Sequence, residues 1–364
     1  MSQRFEVGDL ESARKAGIID AATAEKLGAF LRDKGDPGAS VDNESLRFLA
    51  NLNDVFLSIG LVILTFGLLA GSAMLIGPSG SMIMVFLPVI AALWGMMEYF
   101  AGRRRLLLPS MILALGITSL SAMLTAIVAS GFGDLTNPQF NVVSEGIGAI
   151  KATGIWAAIG GLGSAFAVFA RFRLPFSFFI MAGTAAALIY LTAATFVPDI
   201  GATLGSVIIL GTGLATLYVA CVFDMRDPTR STLSSDNGFW LNFAAAPQIV
   251  FGLGLLLRSL DMPLDAMPGA LIFMAALIPI TLLSLALNRR ALVAASLISF
   301  WAAISAIVEG TSGGNMFSSI VWAMLLTGGG VVLLSSGWKT ARRMVLSVLP
   351  DQGSAARLFP PEPA

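Results

Sequence analysis

Long apolar segments separated by short polar linkers dominate the chain from residue 54 onward. The segments are about 18–25 residues long, which is the length a helix needs to cross about 30 Å of hydrocarbon. Strands of a membrane barrel would instead be about 10 residues long, with alternating polarity. The pattern therefore predicts an all-α, polytopic membrane protein with about ten transmembrane helices. The predicted spans are 55–76, 81–100, 106–130, 152–170, 174–196, 202–223, 238–257, 269–287, 291–308 and 317–335.

The composition supports the same class. Hydrophobic residues form 56% of the chain and charged residues 12%, with a mean hydropathy of +0.83. A soluble domain is about one quarter charged, because water must solvate its surface.

The positive charges alternate with the predicted spans. If successive linkers are assigned to alternate sides, 20 of the 22 Lys and Arg residues fall on one side, and only Lys151 and Arg258 fall on the other. Cytoplasmic linkers of membrane proteins carry such an excess. We therefore expect both termini to be cytoplasmic, and the pattern suits a bacterial inner membrane.

The N-terminal residues 1–50 are polar and predict a small cytoplasmic head with a linker, followed by the bundle at 51–337. Asp9 is a suitable N-cap for a first helix, and Asp20 for a second helix that extends to about Arg32. A helical hairpin of this size has little core, so we expect residues 1–45 to lean on the membrane domain, on a second copy or on a partner protein. A basic tail at 338–364 is expected to begin with a short helix on anionic lipid.

The head carries a resemblance to a known family. The residues Leu10, then Ala16-Gly17-Ile18-Ile19-Asp20, then Ala24-Glu25, are followed by a first span that contains Gly60 and Gly67. This region, about residues 8–75, resembles the bacterial predicted membrane proteins catalogued as domain of unknown function 2157. The resemblance implies a multi-span protein with a cytoplasmic helical head, and it implies no activity.

Several chemistries are excluded by composition. The chain has no histidine and a single cysteine, Cys221, so it has no Ser-His-Asp triad, His-ligated metal or iron–sulfur cluster. It also has no Walker-type phosphate loop. We expect no enzyme activity, no cofactor, no metal and no nucleic-acid partner, and the oligomeric state is left open.

Two acidic motifs have ordinary explanations. The segment Gly131-Phe132-Gly133-Asp134 matches the Gly-x-Gly-Asp of intramembrane aspartyl proteases, but no second aspartate lies inside a neighbouring span. The cluster of Asp224, Arg226, Asp227 and Arg230 is best interpreted as a solvated loop.

Small and hydroxyl side chains form stripes at helical spacing on two predicted spans. Such stripes must face protein or water, and close helix packing explains most of them. A glycine cluster at Gly160, Gly161 and Gly163 has the same interpretation. The stripe residues are Ser58, Thr65 and Ser72 in the first span and Thr118, Ser121 and Thr125 in the third.

The seventh span is the best candidate for a substrate pathway. Asn242 and Gln248 are amides in an apolar helix, and Pro247 removes a backbone hydrogen bond between them. The amides would point about 120° apart on a straight helix, and a bend at Pro247 would turn both toward one cavity.

Two further residues extend this hypothesis. Pro88 lies in the second span, the place equivalent to Pro247 if the spans form two inverted sets of five. Interrupted helices at matching positions point to a transporter site. Glu98, near the cytoplasmic end of the second span, either couples protons or forms a peripheral salt bridge.

Two functional hypotheses follow. The first is a transporter of a small neutral or amphipathic solute, with a hydrated cavity around Asn242 and Gln248. The second is a non-transporting membrane scaffold or sensor whose cytoplasmic head binds a partner protein, with a dry and fully packed bundle.

Overall fold

The computed structural model describes seven stretches of the chain. These are 52–77, 80–129, 146–197, 201–227, 232–262, 267–288 and 316–347, together with single positions between 19 and 27 and between 301 and 308. The chain divides into two units, Met1–Ser45 with Pro361–Ala364, and Leu46–Pro360.

The described part of the second unit is helical and contains no strand. Eight of its helices are long and apolar enough to cross a membrane, so the protein is a polytopic helical membrane protein. The helices are α1 (Leu52–Ile76), α2 (Met82–Met97), α3 (Leu107–Ala129), α4 (Gly146–Phe172), α5 (Phe176–Phe196), α6 (Ala202–Arg226), α7 (Leu233–Ser259), α8 (Met267–Leu287), α9 (Met316–Ser336) and α10 (Trp338–Leu346).

The first eight predicted spans correspond to α1–α8. The largest differences are at the start of α4 and of α7, which begin six and five residues earlier than predicted. The tenth predicted span corresponds to α9, which is followed by a bend of 70° into α10. The ninth predicted span lies mostly outside the described residues, although Trp301, Ile304, Ile307 and Val308 are helical.

From α1 to α8, each helix packs against the next one in the chain. The largest buried cluster joins the first five helices around Leu93, Met97, Leu113 and Ile117. A smaller cluster joins α7 and α8 through Val250, Leu257, Phe273 and Leu277.

Aromatic side chains connect α5 to the two helices that follow it. Phe176 and Phe179 contact the indole ring of Trp240 on α7. Phe178 packs edge-on against Phe223 of α6, with ring centroids 5.3 Å apart. These contacts hold the α6–α7 pair, which carries the candidate pathway, against the first five helices.

The C-terminal helix α10 packs on α8. The indole nitrogen of Trp338 donates a 2.8 Å hydrogen bond to Oδ1 of Asn288, and Trp338 and Arg342 are both 4% exposed. Only one face, with Lys339 and Arg343, is open to the surroundings. The predicted basic helix is therefore present, but it lies against protein on one side.

In the head, the structure describes a helical segment at Ala22, Thr23, Lys26 and Leu27. The carboxylate of Asp20 accepts a 3.1 Å hydrogen bond from the backbone N–H of Thr23, as an N-cap does. Hydrogen bonds from Thr23, first its side chain and then its backbone, lower the pKa of Asp20. The predicted first helix, after Asp9, lies outside the described residues.

Candidate functional site

Asn242 of α7 is fully buried and faces α6. Its Nδ2 donates hydrogen bonds to Oδ2 of Asp224 at 3.1 Å and to the carbonyl oxygen of Gly238 at 3.0 Å. Gly238 is required here, because a Cβ at this position would lie 2.5 Å from Oδ1 of Asp224. The glycine thus makes room for a carboxylate between two membrane helices.

Asp224 and Asp227 are buried, with 6% and 5% exposure. The interpretation of this segment as a solvated loop is therefore wrong for both residues. Asp227 accepts 2.7 Å hydrogen bonds from the backbone N–H and the hydroxyl of Thr232, which closes the turn between α6 and α7. Arg226 is exposed as expected, and its guanidinium lies over the ring of Phe223. Arg230 lies outside the described residues.

In the described part of this region, two amide oxygens are buried without a hydrogen-bond partner. They are Oδ1 of Asn242 and Oδ1 of Asn237. Buried polar atoms in proteins are nearly always hydrogen-bonded, and each exception calls for an explanation such as a water or an ion. Because Nδ2 is the end of the Asn242 amide that faces Asp224, Oδ1 of Asn242 is directed away from that carboxylate.

Gln248 contacts α6 nearer the middle of the membrane. Its Oε1 accepts a 3.3 Å hydrogen bond from the hydroxyl of Thr216. Thr216 is eight residues from Asp224 along α6, which corresponds to about 12 Å. The two amides therefore meet one helix at two depths and do not converge on one point.

The two prolines of the pathway hypothesis, Pro247 and Pro88, are exposed. Pro247 is exposed and lies within α7, which stays helical from Leu233 to Ser259. Pro88 in α2 and Pro279 in α8 are also exposed within helices. Pro109 is buried in the first turn of α3, where a proline costs no hydrogen bond.

A cavity of about 430 Å³ lies where α5 ends, α6 begins and α7 ends. This is the end of the α6–α7 pair opposite Asp224. Its polar lining residues are Tyr190, Ser206, Arg258 and Ser259. The sequence gives no clear signal for these residues, except that Arg258 is one of two cations outside the main charge pattern.

Between this cavity and Gln248, the two helices are in close contact. A Cβ on Gly252 would lie 2.6 Å from the backbone nitrogen of Leu210, and one on Gly213 would lie 2.8 Å from that of Ile249. The α6–α7 interface therefore has polar groups at both ends and near its centre, with a tight glycine contact between the cavity and the centre.

Glu98 lies in a π-helical turn that extends α2 over Glu98–Arg103, in a cleft that the start of α7 also lines. Its carboxylate accepts two hydrogen bonds from Arg171 at the end of α4, with distances of 2.9 and 3.0 Å. The ion-pair partner of Glu98 is thus on another helix, 73 residues away along the chain. With side-chain exposures of 39% and 62%, this pair is peripheral.

The hydroxyl stripes bond mainly to their own helices. Ser58 and Thr65 donate to carbonyl oxygens four residues earlier in α1, and Thr118 does so in α3. Thr125 also donates a 2.8 Å hydrogen bond across to the carbonyl of Trp156 in α4. Ser72 and Ser121 are partly buried in the same two helices.

Among the described residues, no group of three or more Cys, Asp or Glu side chains is placed to hold a metal ion. The Gly131–Asp134 segment lies outside these residues.

Comparisons with known proteins add no family. No family model matches the chain, and no curated protein or solved structure is significantly similar to it. The resemblance of residues 8–75 to domain of unknown function 2157 therefore stays a prediction, and the chain is identified here only by its class, a multi-pass helical membrane protein.

Proposed function

We propose that this membrane protein is a transporter of a small neutral or amphipathic solute, and that the solute passes along the α6–α7 interface. The observation that carries the proposal is the series of polar groups along this interface. It runs from the cavity at Ser206 and Arg258, through Thr216 and Gln248, to the buried pair Asp224 and Asn242.

The energetics of polar groups in membranes support this assignment. Ionisable and amide side chains inside spans are costly, and they commonly mark substrate or ion pathways. The buried oxygen of Asn242 has no hydrogen-bond partner, so a solute hydroxyl, a water or an ion would satisfy it. The glycine contact at Gly252 separates the cavity from Gln248, and we assign it as the closed section of the pathway.

We further propose a bacterial inner-membrane location with both termini in the cytoplasm. Four arginines from two separate linkers, Arg103, Arg105, Arg171 and Arg173, line one cleft at one end of the bundle. Their common location supports the alternation of charge in the sequence, because cytoplasmic linkers carry the excess of cations. Arg258 then lies on the outer side.

A non-transporting scaffold or sensor is the second candidate. The observation that favours it is that Asn242 and Gln248 each already have a partner on α6. In this case residues 1–45 would bind a partner protein, and the interface would stay closed.

Cysteine accessibility distinguishes the two candidates. In the full-length protein with Cys221→Ser, single cysteines are placed by Ser259→Cys in the cavity and Gln248→Cys near the centre. Phe251→Cys is the control on the same helix, because Phe251 is 61% exposed and faces outward. Each variant is labelled with membrane-impermeant thiol reagents from each side of sealed vesicles.

A transporter is expected to give labelling at Ser259→Cys from the outer side and slower labelling at Gln248→Cys. A solute that binds in the pathway would block both. No labelling at Phe251→Cys is expected, because the reagent does not enter lipid. Complete protection of Gln248→Cys from both sides, in protein shown to be folded, would overturn the transport proposal and favour the scaffold.

A further inference from the structure

A cleft of about 700 Å³ lies at the end of the bundle where α2 meets α3, α4 meets α5, and α7 begins. Its charged lining residues are Glu98, Arg103, Arg105, Arg171, Arg173 and Asp236. Four are arginines and two are acids, so the cleft carries two more positive than negative charges.

The Glu98–Arg171 ion pair holds one guanidinium in place. The carboxylate of Glu98 accepts hydrogen bonds from both Nε and Nη2 of Arg171. This two-point contact orients the guanidinium plane, since Arg and carboxylate match as planar forks.

The backbone has the same conformation at the two linkers that line the cleft. Arg105 and Arg173 both have φ of 54°, in the left-handed region, and each is followed by a leucine shortly before the next helix. Asp261 and Asn288 adopt the same region just after α7 and α8, as is common for the residue that ends a helix. A π-helical turn, Glu98–Arg103, precedes the first linker, and π-turns are frequent at functional sites.

Membrane topology alone does not require the arginines of two linkers to share one cleft. The excess of cations needs only to lie in the linkers on the correct side. Here two linkers, 68 residues apart at Arg105 and Arg173, direct their arginines into one cleft. Guanidinium groups bind phosphate oxygens in a bidentate manner, and a cleft between helix ends lies at the depth of lipid headgroups.

We propose that this cleft binds a phosphate-bearing group, supplied either by the headgroup of an anionic phospholipid or by a soluble phosphate compound. The proposal does not depend on transport, because no residue of the α6–α7 polar series lines the cleft.

The test uses the full-length protein in two kinds of lipid nanodisc. One contains phosphatidylcholine alone, and the other contains phosphatidylcholine with phosphatidylglycerol. Retention of phosphatidylglycerol is measured by native mass spectrometry. In the neutral nanodiscs, inorganic phosphate is added and thermal unfolding is compared with chloride at equal ionic strength.

Three variants show which charged side chains affect binding of the phosphate group. Arg105→Gln removes one cation from the cleft, and Arg226→Gln removes one from the same end of the bundle outside it. Binding is expected to be about tenfold weaker in Arg105→Gln, which corresponds to the loss of one hydrogen bond to a charged group. It is expected to be unchanged in Arg226→Gln. Glu98→Gln removes one negative charge from the cleft and keeps an oxygen that can accept a hydrogen bond from Arg171. It is expected to strengthen binding, an effect that a merely structural role would not produce.

Each outcome decides the proposal. Binding of phosphatidylglycerol that Arg105→Gln weakens identifies a lipid headgroup, whereas stabilisation by phosphate in neutral nanodiscs identifies a soluble ligand. The proposal is overturned if neither is bound, or if Arg105→Gln and Arg226→Gln lose binding equally while Glu98→Gln gains none. In that case the arginines act only as topological charges.

Discussion

The α3–α4 and α6–α7 interfaces both depend on glycine, but they use polar side chains differently. At α3–α4, a Cβ on Gly160 would lie 2.1 Å from Oγ1 of Thr125, and the polar groups are hydroxyls that bond to nearby carbonyls. At α6–α7, the polar groups include the carboxylate of Asp224 and the amides of Asn242 and Gln248. Each amide bonds to a side chain of the partner helix.

This difference separates packing from function. A hydroxyl can bond to the carbonyl four residues earlier in its own helix, so it needs nothing from outside. An amide has two donors and two acceptor lone pairs, and its own helix cannot satisfy all of them. The unmatched oxygen of Asn242 is the result, which is why we place the pathway at α6–α7 and not at α3–α4.

The largest effect on stability is expected from adding a side chain at the glycine contact between α6 and α7. Gly252→Ala should destabilise the protein by about 3 kcal/mol, at the upper end of overpacking costs, because the new Cβ meets backbone atoms of Leu210 at 2.6 and 2.8 Å. Gly211→Ala is the matched control, since a Cβ there has no neighbour within 4 Å. Unfolding in mild detergent measures both, and equal stability of the two variants would show that the helices are not in this contact.

A smaller effect is expected from the buried amide. Asn242→Leu should cost about 2 kcal/mol, because it removes a donor from the buried carboxylate of Asp224 and from the carbonyl of Gly238. Adding Asp224→Asn should recover part of this loss, since a neutral amide is less costly to bury than a carboxylate.

These two variants also test whether Asn242 contacts Asp224. If Asn242→Leu is as stable as the unmodified protein and the second change brings no recovery, the Asp224–Asn242 contact is not present as described. The same unfolding measurement decides this.

The smallest effect on stability is expected at α3–α4, where the polar groups are hydroxyls and not amides. Thr125→Val should cost about 0.6 kcal/mol, the average for a hydrogen bond between membrane helices, because Thr125 bonds across to Trp156. Thr118→Val should be close to neutral, since Thr118 donates to carbonyl oxygens of its own helix. A larger loss at Thr118 than at Thr125 would contradict this assignment.

Much of the fold follows from the sequence, and the candidate site follows only in part. The first eight predicted spans correspond to α1–α8, because the bilayer sets both the length and the polarity of a span. Asn242 and Gln248 were selected as amides in an apolar helix, which is a strong local signal.

The residues that bond to these amides are harder to recognise in the sequence. Asp224 was assigned to a loop because it stands near Arg226 and close to the end of a span. Its position four residues after Ala220, on the face that also carries Gly213, is a helical pattern of small residues that could have placed it in the interface.

The hydrophobic pattern by itself determines that this protein crosses a membrane several times as helices, and its charges predict the orientation. Only the tertiary structure decides that Asn242 meets Asp224, that Arg171 pairs with Glu98, and that arginines of two linkers share a cleft. The physical reason is that lipid tails are as apolar as leucine, so hydrophobicity does not select which helix faces touch. Glycine contacts and a few hydrogen bonds make that selection, and they depend on residues far apart in the chain.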